Sequence, residues 1–201
     1  MSFARPLISQ PFLRSLLTMS GKPVCIDNST TAAQKATFAA GCFWGVEKMF
    51  RESFASRGLV EARVGYTGGL SSNPLYRAVC SGQTGHSEAL QVTFDPQKVS
   101  YRQLVEFFYQ MHDPTTFHRQ GADQGSQYRS AIFYHNQEQE QVARQVTQKV
   151  NEQWWKNKVT TEIVPAGEWW DAEQYHQQYL NKNPGGYECP NHVLRKFPPL
   201  L

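Results

Sequence analysis

A short apolar run, Ala36-Thr37-Phe38-Ala39-Ala40, ends in the glycine-bounded turn Gly41-Cys42-Phe43-Trp44-Gly45. The chain then continues through Val46-Glu47-Lys48-Met49-Phe50-Arg51-Glu52-Ser53-Phe54, with apolar residues at spacings of three and four. That is the pattern of a strand, a tight turn and an amphipathic helix, so the chain is mixed α and β from its first element. A cysteine in this turn faces the unsatisfied N–H groups of the helix, whose partial positive charge favours thiolate over thiol. The same position equally suits a small buried hydrophobe that closes the turn.

The rest of the chain alternates in the same way. Leu59 to Tyr66 reads as a second strand with Val60, Ala62, Val64 and Tyr66 on one face, broken by Gly65, Gly68 and Gly69. Leu75 to Cys80 suits a short helix, and Glu88 to Phe94 a third strand. In that strand Leu90, Val92 and Phe94 share a face, and Glu88 continues their series. A carboxyl on a core face must be paired, or be protonated because desolvation raises its pKa. Ser100 and Gln103 form the capping box of a helix through Met111, and a polar stretch follows to Gln127. Tyr128 to Tyr134 is a fourth strand, Asn136 caps a long helix from about Gln137 to Trp155, and Lys158 to Pro165 is a fifth strand. Asp171 to Leu180 reads as a last short helix, followed by a coil-like Gly/Pro tail from Asn181. The order predicts an α+β, ferredoxin-like split βαβ two-layer sandwich with extra C-terminal elements.

Charge and cysteine usage narrow the function. The formal net charge of +3 comes from residues 1–26, which hold Arg5, Arg14 and Lys22 and no acid. The remaining body is neutral, which argues against a nucleic-acid surface. Residues 1–20, rich in Ser, Leu and Arg, have the composition of a mitochondrial transit peptide or a disordered tail. A second start at Met19 would skip that segment, so the expected location is mitochondrial, cytoplasmic or both. Residues 21–34 read as a linker and 35–201 as a single catalytic domain, its tail 181–201 mobile. No run of about 18 apolar residues is present to span a membrane. Cys25, Cys42, Cys80 and Cys189 show no C-x-x-C spacing, which excludes zinc ribbons and thioredoxin-type motifs.

Cys42 as nucleophile, Glu88 as neutral acid, and Tyr66 and Tyr128 as hydrogen-bond donors would serve a thiolate that attacks a polarised centre while an oxygen is protonated. Each phenol also fits a tyrosine at the edge of the core. Cys189, in a Gly/Pro tail, is either placed to swing towards a sulfenic acid or is an idle exposed thiol.

Several stretches together carry a resemblance: Gly41-Cys42-Phe43-Trp44-Gly45, Gly65-Tyr66-Thr67-Gly68-Gly69, Thr84-Gly85-His86-Ser87-Glu88-Ala89, His112-Asp113-Pro114 and Gln127-Tyr128-Arg129-Ser130-Ala131-Ile132. In order and spacing they resemble the motifs of the peptide methionine sulfoxide reductase A family, over roughly residues 36–192. The resemblance implies that Cys42 attacks the sulfoxide sulfur and that Glu88 protonates the oxygen, with Tyr66 and Tyr128 donating to it. It implies further that Phe43 and Trp44 hold the substrate methyl and that Asp123 helps order the site. By the same resemblance Cys189 is the resolving thiol, its disulfide with Cys42 being reduced by thioredoxin, or by dithiothreitol in vitro. The expected substrates are the S epimer of methionine sulfoxide, free and in proteins, acted on by a monomer with no bound cofactor or metal. Cys80 lies in Tyr76-Arg77-Ala78-Val79-Cys80-Ser81-Gly82, which resembles the family without an assigned role. Cys25 matches nothing and could serve as an alternative disulfide partner.

Other readings are weaker. A papain-like hydrolase using His176 or His192 would need Cys-Gly-Ser before the nucleophile, where Ala39-Ala40-Gly41 stands. A metal site on His112, Asp113 and His118 lacks a further ligand, and Asp-Pro there ends a helix. A binding module would present Trp44, Trp169 and Trp170 as an aromatic platform, positions that fit a core edge as well.

Overall fold

The computed structural model describes Met1 and residues 32–201, and residues 32–201 lie within one compact unit. The expectations for the presequence, the second start at Met19, Cys25 and most of the linker lie outside the described residues. Strand β1 (Gln34–Ala40) is central, and its last residues are buried on both faces, as a near-continuous apolar run requires. It pairs antiparallel with β3 (Ser87–Phe94) on one side, while β2 (Leu59–Thr67) pairs antiparallel with β3 beyond it.

The large core covers one face of this sheet. Helix α1 (Phe43–Phe54) and helix α3 (Tyr101–Met111) meet over β1, where Phe38 stacks on Phe50 at 5.3 Å and on Phe108 at 5.4 Å. The short helix α2 (Tyr76–Cys80) lies between β2 and β3 in sequence. The capping box of α3 forms as the sequence predicts: Gln103 N–H donates to Ser100 Oγ at 3.2 Å, and Ser100 N–H donates to Gln103 Oε1 at 2.9 Å.

Beyond α3 a hairpin of β4 (Arg119–Gln120) and β5 (Asp123–Gln124) and a 3₁₀ turn (Ser126–Tyr128) replace the expected unstructured stretch. Strand β6 (Ser130–Tyr134) joins β1, so Tyr128 precedes the strand rather than starting it. Asn136 caps α4 (Gln137–Gln153), its side chain accepting from Gln139 N–H at 2.9 Å. Strand β7 (Glu162–Pro165) then runs parallel to β6 and is shorter than expected.

Where a helix was expected over 171–180, the chain adds β8 (Trp169–Asp171) to the outer edge of β2, and only Tyr179–Lys182 is helical, as α5. Gly65 makes room for that strand: a Cβ there would stand 2.4 Å from Trp170 O and 2.5 Å from the Trp169 ring. Gly65 therefore continues β2 to Thr67 instead of breaking it. At the other end of β2 a register shift between Leu59 and Glu61 turns Val60 outward, 64% exposed, against the expected alternation.

The full order is β7-β6-β1-β3-β2-β8. The edge strands β7 and β8 are joined by residues 166–168 alone. Such a link spans at most about 14 Å, whereas six flat strands would separate the edges by about 24 Å. The sheet is therefore curled, and its second face closes over a small cluster of Ala39, Ala89, Ala131 and Phe133, flanked by Val164 from one edge and Trp169 from the other.

No helix or strand follows Lys182, yet the tail is tied down. Phe197 stacks on Trp154 at 4.7 Å, Trp154 Nε1 donates to Pro198 O, and Arg195 N–H donates to Gln110 O at 3.0 Å. These contacts hold residues 195–198 against α3 and the end of α4. Among the described residues no helix is long and apolar enough to cross a membrane.

Candidate active site

Cys42 is the N-cap of α1. Gly41 sits at φ +90, where a Cβ would lie 2.6 Å from Gln120 Cβ, and a Cβ on Gly45 would lie 2.2 Å from His192 Nδ1. Both glycines are thus set by side chains packed onto the turn, and they leave the Cys42 sulfur facing inward, 7% exposed. The Trp44 N–H at the helix start pulls the thiol pKa down, but burial pushes it well above its ordinary value, and Glu88, Asp123 and Cys189 add to the rise. The expectation of a standing thiolate is corrected: desolvation outweighs the helix end.

Glu88 lies on β3 opposite Tyr66 of β2, 2% exposed. Its Oε2 accepts the Phe43 N–H at 3.1 Å. Desolvation raises the carboxyl to about 8, against the lowering effect of that N–H and with Asp123 adding to the rise. A carboxyl so placed carries a proton at neutral pH. Cys42 and Glu88 open into one recess of about 120 Å³, lined also by Phe43, Trp44, Tyr76, Asp123, Tyr128 and Tyr187.

The apolar wall of the recess is held from behind. Trp44 stacks on Tyr179 at 3.8 Å and donates through Nε1 to His176 Nδ1 at 3.0 Å, and the His176 ring lies 5.2 Å from Phe43 and 4.5 Å from Tyr76. On the polar side Asp123 Oδ1 accepts from the Tyr187 hydroxyl at 2.9 Å, while its Oδ2 is buried without a partner. Burial raises the phenols of Tyr76 and Tyr128 alike, so both keep their protons at neutral pH.

Tyr66 is not among the lining residues. Its ring lies behind Phe43 at 5.9 Å, and its hydroxyl donates to Glu173 Oε2 at 2.8 Å, while Glu173 Oε1 accepts the Tyr76 N–H at 3.0 Å. Tyr66 thus stands behind the recess, and the phenols that line it are those of Tyr76, Tyr128 and Tyr187. Tyr76 opens α2 directly after Pro74-Leu75, a helix-start signal that marks the residue, though nothing local shows which way its phenol points. Tyr187 was missed for the same reason.

The family model described as "Peptide methionine sulfoxide reductase" matches residues 34–197. The chain belongs to that family. It is 50% identical over 164 residues to a probable peptide methionine sulfoxide reductase of Schizosaccharomyces pombe, covering 81% of this chain and 96% of the relative. The crystal structure of reduced Mxr1 from Saccharomyces cerevisiae superposes with a TM-score of 0.79 at 41% identity, covering 82% of this chain and 93% of Mxr1. Mxr1 has also been solved in complex with Trx2, a structure that matches at 28% identity with a TM-score of 0.58, covering 86% of this chain and 97% of that one. The protein is accordingly an oxidoreductase, a peptide methionine sulfoxide reductase.

Within this reductase the remaining cysteines divide sharply. Cys80 is exposed on α2. Cys189, expected on an exposed tail, is 2% exposed, its sulfur 3.4 Å from Gln120 O and beneath Gly121, outside the lining of the recess. His112 is spent on structure, bonding Phe108 O at 2.6 Å and Ser130 Oγ at 2.8 Å. Among the described residues no group of three or more His, Cys, Asp or Glu is arranged to hold a metal ion.

Proposed function

We propose that this reductase acts on the S epimer of methionine sulfoxide, free and in proteins, through a sulfenic acid on Cys42. The observation that carries the reading is a protonated carboxyl and a thiol opening into one small recess with an aromatic wall. The sulfoxide methyl lies against Phe43 and Trp44. The oxygen takes a proton from Glu88 and hydrogen bonds from Tyr76 and Tyr128, and Asp123 orders the polar side through Tyr187. As its S–O bond weakens, the substrate sulfur is attacked by the Cys42 sulfur, whose proton returns to the Glu88 carboxylate. In the resulting adduct the new S–S bond breaks as the protonated oxygen leaves the substrate sulfur for Cys42, so the net change moves one oxygen atom from substrate to Cys42 and leaves methionine and a sulfenic acid.

Cys189 then displaces that oxygen as water and forms a disulfide with Cys42. The Mxr1–Trx2 complex supports thioredoxin as the reductant of this disulfide; dithiothreitol would replace it in vitro. The reading requires no bound cofactor and works with a monomer. Residues 35–201 then act as one catalytic domain behind a removable presequence, which fits a mitochondrial or cytoplasmic site of action. The antiparallel order β6-β1-β3-β2 supports reading the core as a ferredoxin-like split βαβ unit.

The test is a single turnover of reduced protein with each separated epimer and no reductant. The S epimer should release roughly one equivalent of methionine and consume about two thiols, with Cys42 joined to Cys189. In Cys189→Ser, one turnover should leave a trapped sulfenic acid. Equal use of both epimers, or full thioredoxin-supported cycling of Cys189→Ser, would reject the reading.

The two tyrosines can be told apart by kinetics. Tyr76→Phe should lower kcat/KM by about 10²- to 10³-fold, the scale for one lost oxyanion donor. Tyr66→Phe should instead lower stability by about 1 kcal/mol through the lost bond to Glu173, with a smaller kinetic effect. The reverse ranking would return Tyr66 to the oxygen site.

A further inference from the structure

A resolving thiol must be brought to its partner, because a disulfide forms only with Cα atoms within about 4.4–6.8 Å. The segment carrying Cys189 has no helix or strand to place it. What holds it is a turn closed by His192 N–H donating to Cys189 O at 3.0 Å, both ends of which rest on the neighbours of Cys42.

At one end the His192 ring reaches β1 and α1. Its Nε2 lies 2.7 Å from Ala40 O, and since a carbonyl only accepts, Nε2 carries the proton and donates. The other nitrogen, Nδ1, is sealed from solvent without a partner, against the Cα of Gly45. Any side chain at position 45 would displace this ring. At the other end Cys189 Sγ donates to Gln120 O at 3.4 Å, and Gln120 itself packs onto Gly41. Gln120 is fixed in turn by bonds from Asp113 N–H at 3.1 Å and to Asp113 O at 2.9 Å.

We propose that His192 is the positioning residue of the resolving step, its imidazole pinning the Cys189–His192 turn to the Ala40–Gly45 turn so that the Cys189 sulfur stays within reach of Cys42. The proposal rests on Cys189 being the resolving thiol. In the step it serves, the Cys189 sulfur attacks the Cys42 sulfenic sulfur, the S–S bond forms and the S–O bond breaks. The oxygen leaves as water with the Cys189 proton and the sulfenic hydrogen, the electron pair of the new bond coming from Cys189. His192 touches neither sulfur in this scheme. Its contribution is the effective concentration of one thiol at the other, which a displacement of an ångström can lower severely.

The experiment follows one turnover of the full chain with methionine sulfoxide and no reductant, measuring methionine release and thiol loss separately and trapping sulfenic acid with a 1,3-dione. In His192→Ala, disulfide formation should slow about tenfold or more relative to methionine release, and trapped Cys42 sulfenic acid should accumulate. His192→Gln, which keeps a donor near the Nε2 position, should recover most of the lost rate. A merely structural role would slow both steps together, leaving their ratio unchanged. If His192→Ala does not fold, His192→Asn fills the slot without reaching Ala40 and should show the same selective slowing. Disulfide formation at the parent rate in a folded Ala or Asn variant overturns the proposal. Failure of the underlying reading looks different: Cys189→Ser would still lose two thiols per turnover, whatever His192 does.

Discussion

Cys42→Ser leaves a folded protein that releases no methionine above background. A thiol can accept the substrate's oxygen because sulfur is stable as a sulfenic acid; a serine oxygen accepting it would have to become a hydroperoxide, which is far higher in energy. Loss of a nucleophile in other enzymes costs on the order of 10⁶ in kcat. The fold should survive, because serine is a preferred N-cap residue and its hydroxyl can take over the N-cap of α1. Melting by calorimetry should therefore shift by only a few degrees while the single-turnover signal disappears. Methionine release that persists in this variant would remove Cys42 from the mechanism.

Glu88→Gln should lower kcat/KM by about 10²- to 10⁴-fold, the usual contribution of a positioned general acid. The amide keeps the shape and can still accept the Phe43 N–H, so the loss isolates the proton. The sign of the pH dependence follows from the carboxyl being raised to about 8. The acid form is present below that pH and is lost as pH rises through it. The parent profile of kcat/KM should hold through neutral pH and fall above about 8, and the Gln variant should lack that descending limb. An unchanged limb in the variant would assign the acid to another group.

Local sequence carried a good deal of this site. Strand parity alone put Glu88 on the core face, and that position is what withdraws its carboxyl from water. The glycine-bounded turn placed Cys42 at a helix start, as found. What parity cannot tell is which partner claims a hydroxyl: Tyr66 has the right face, but Glu173, 107 residues away in sequence, accepts its hydrogen bond. The thiol's pKa failed for a related reason, since the helix end is a local effect and the burial that outweighs it comes from the whole fold. Strand β8 was unreadable because it exists only through backbone space left by Gly65 on another strand. The contacts that place the tail were unreadable because their partners, Ala40 and Gln120, lie far upstream.

The size of the recess has a consequence for the proteins this enzyme serves. About 120 Å³ admits the tip of one side chain and leaves the substrate's main chain outside. Within the recess, recognition is confined to the sulfoxide end of the side chain. An oxidised methionine packed inside a client must first be presented by a local opening of that client. Its rate of repair is then set by the free energy of that opening, which spans the range from frayed ends to globally protected cores. The most stable regions of the cell's proteins are, by that reasoning, the last to be mended.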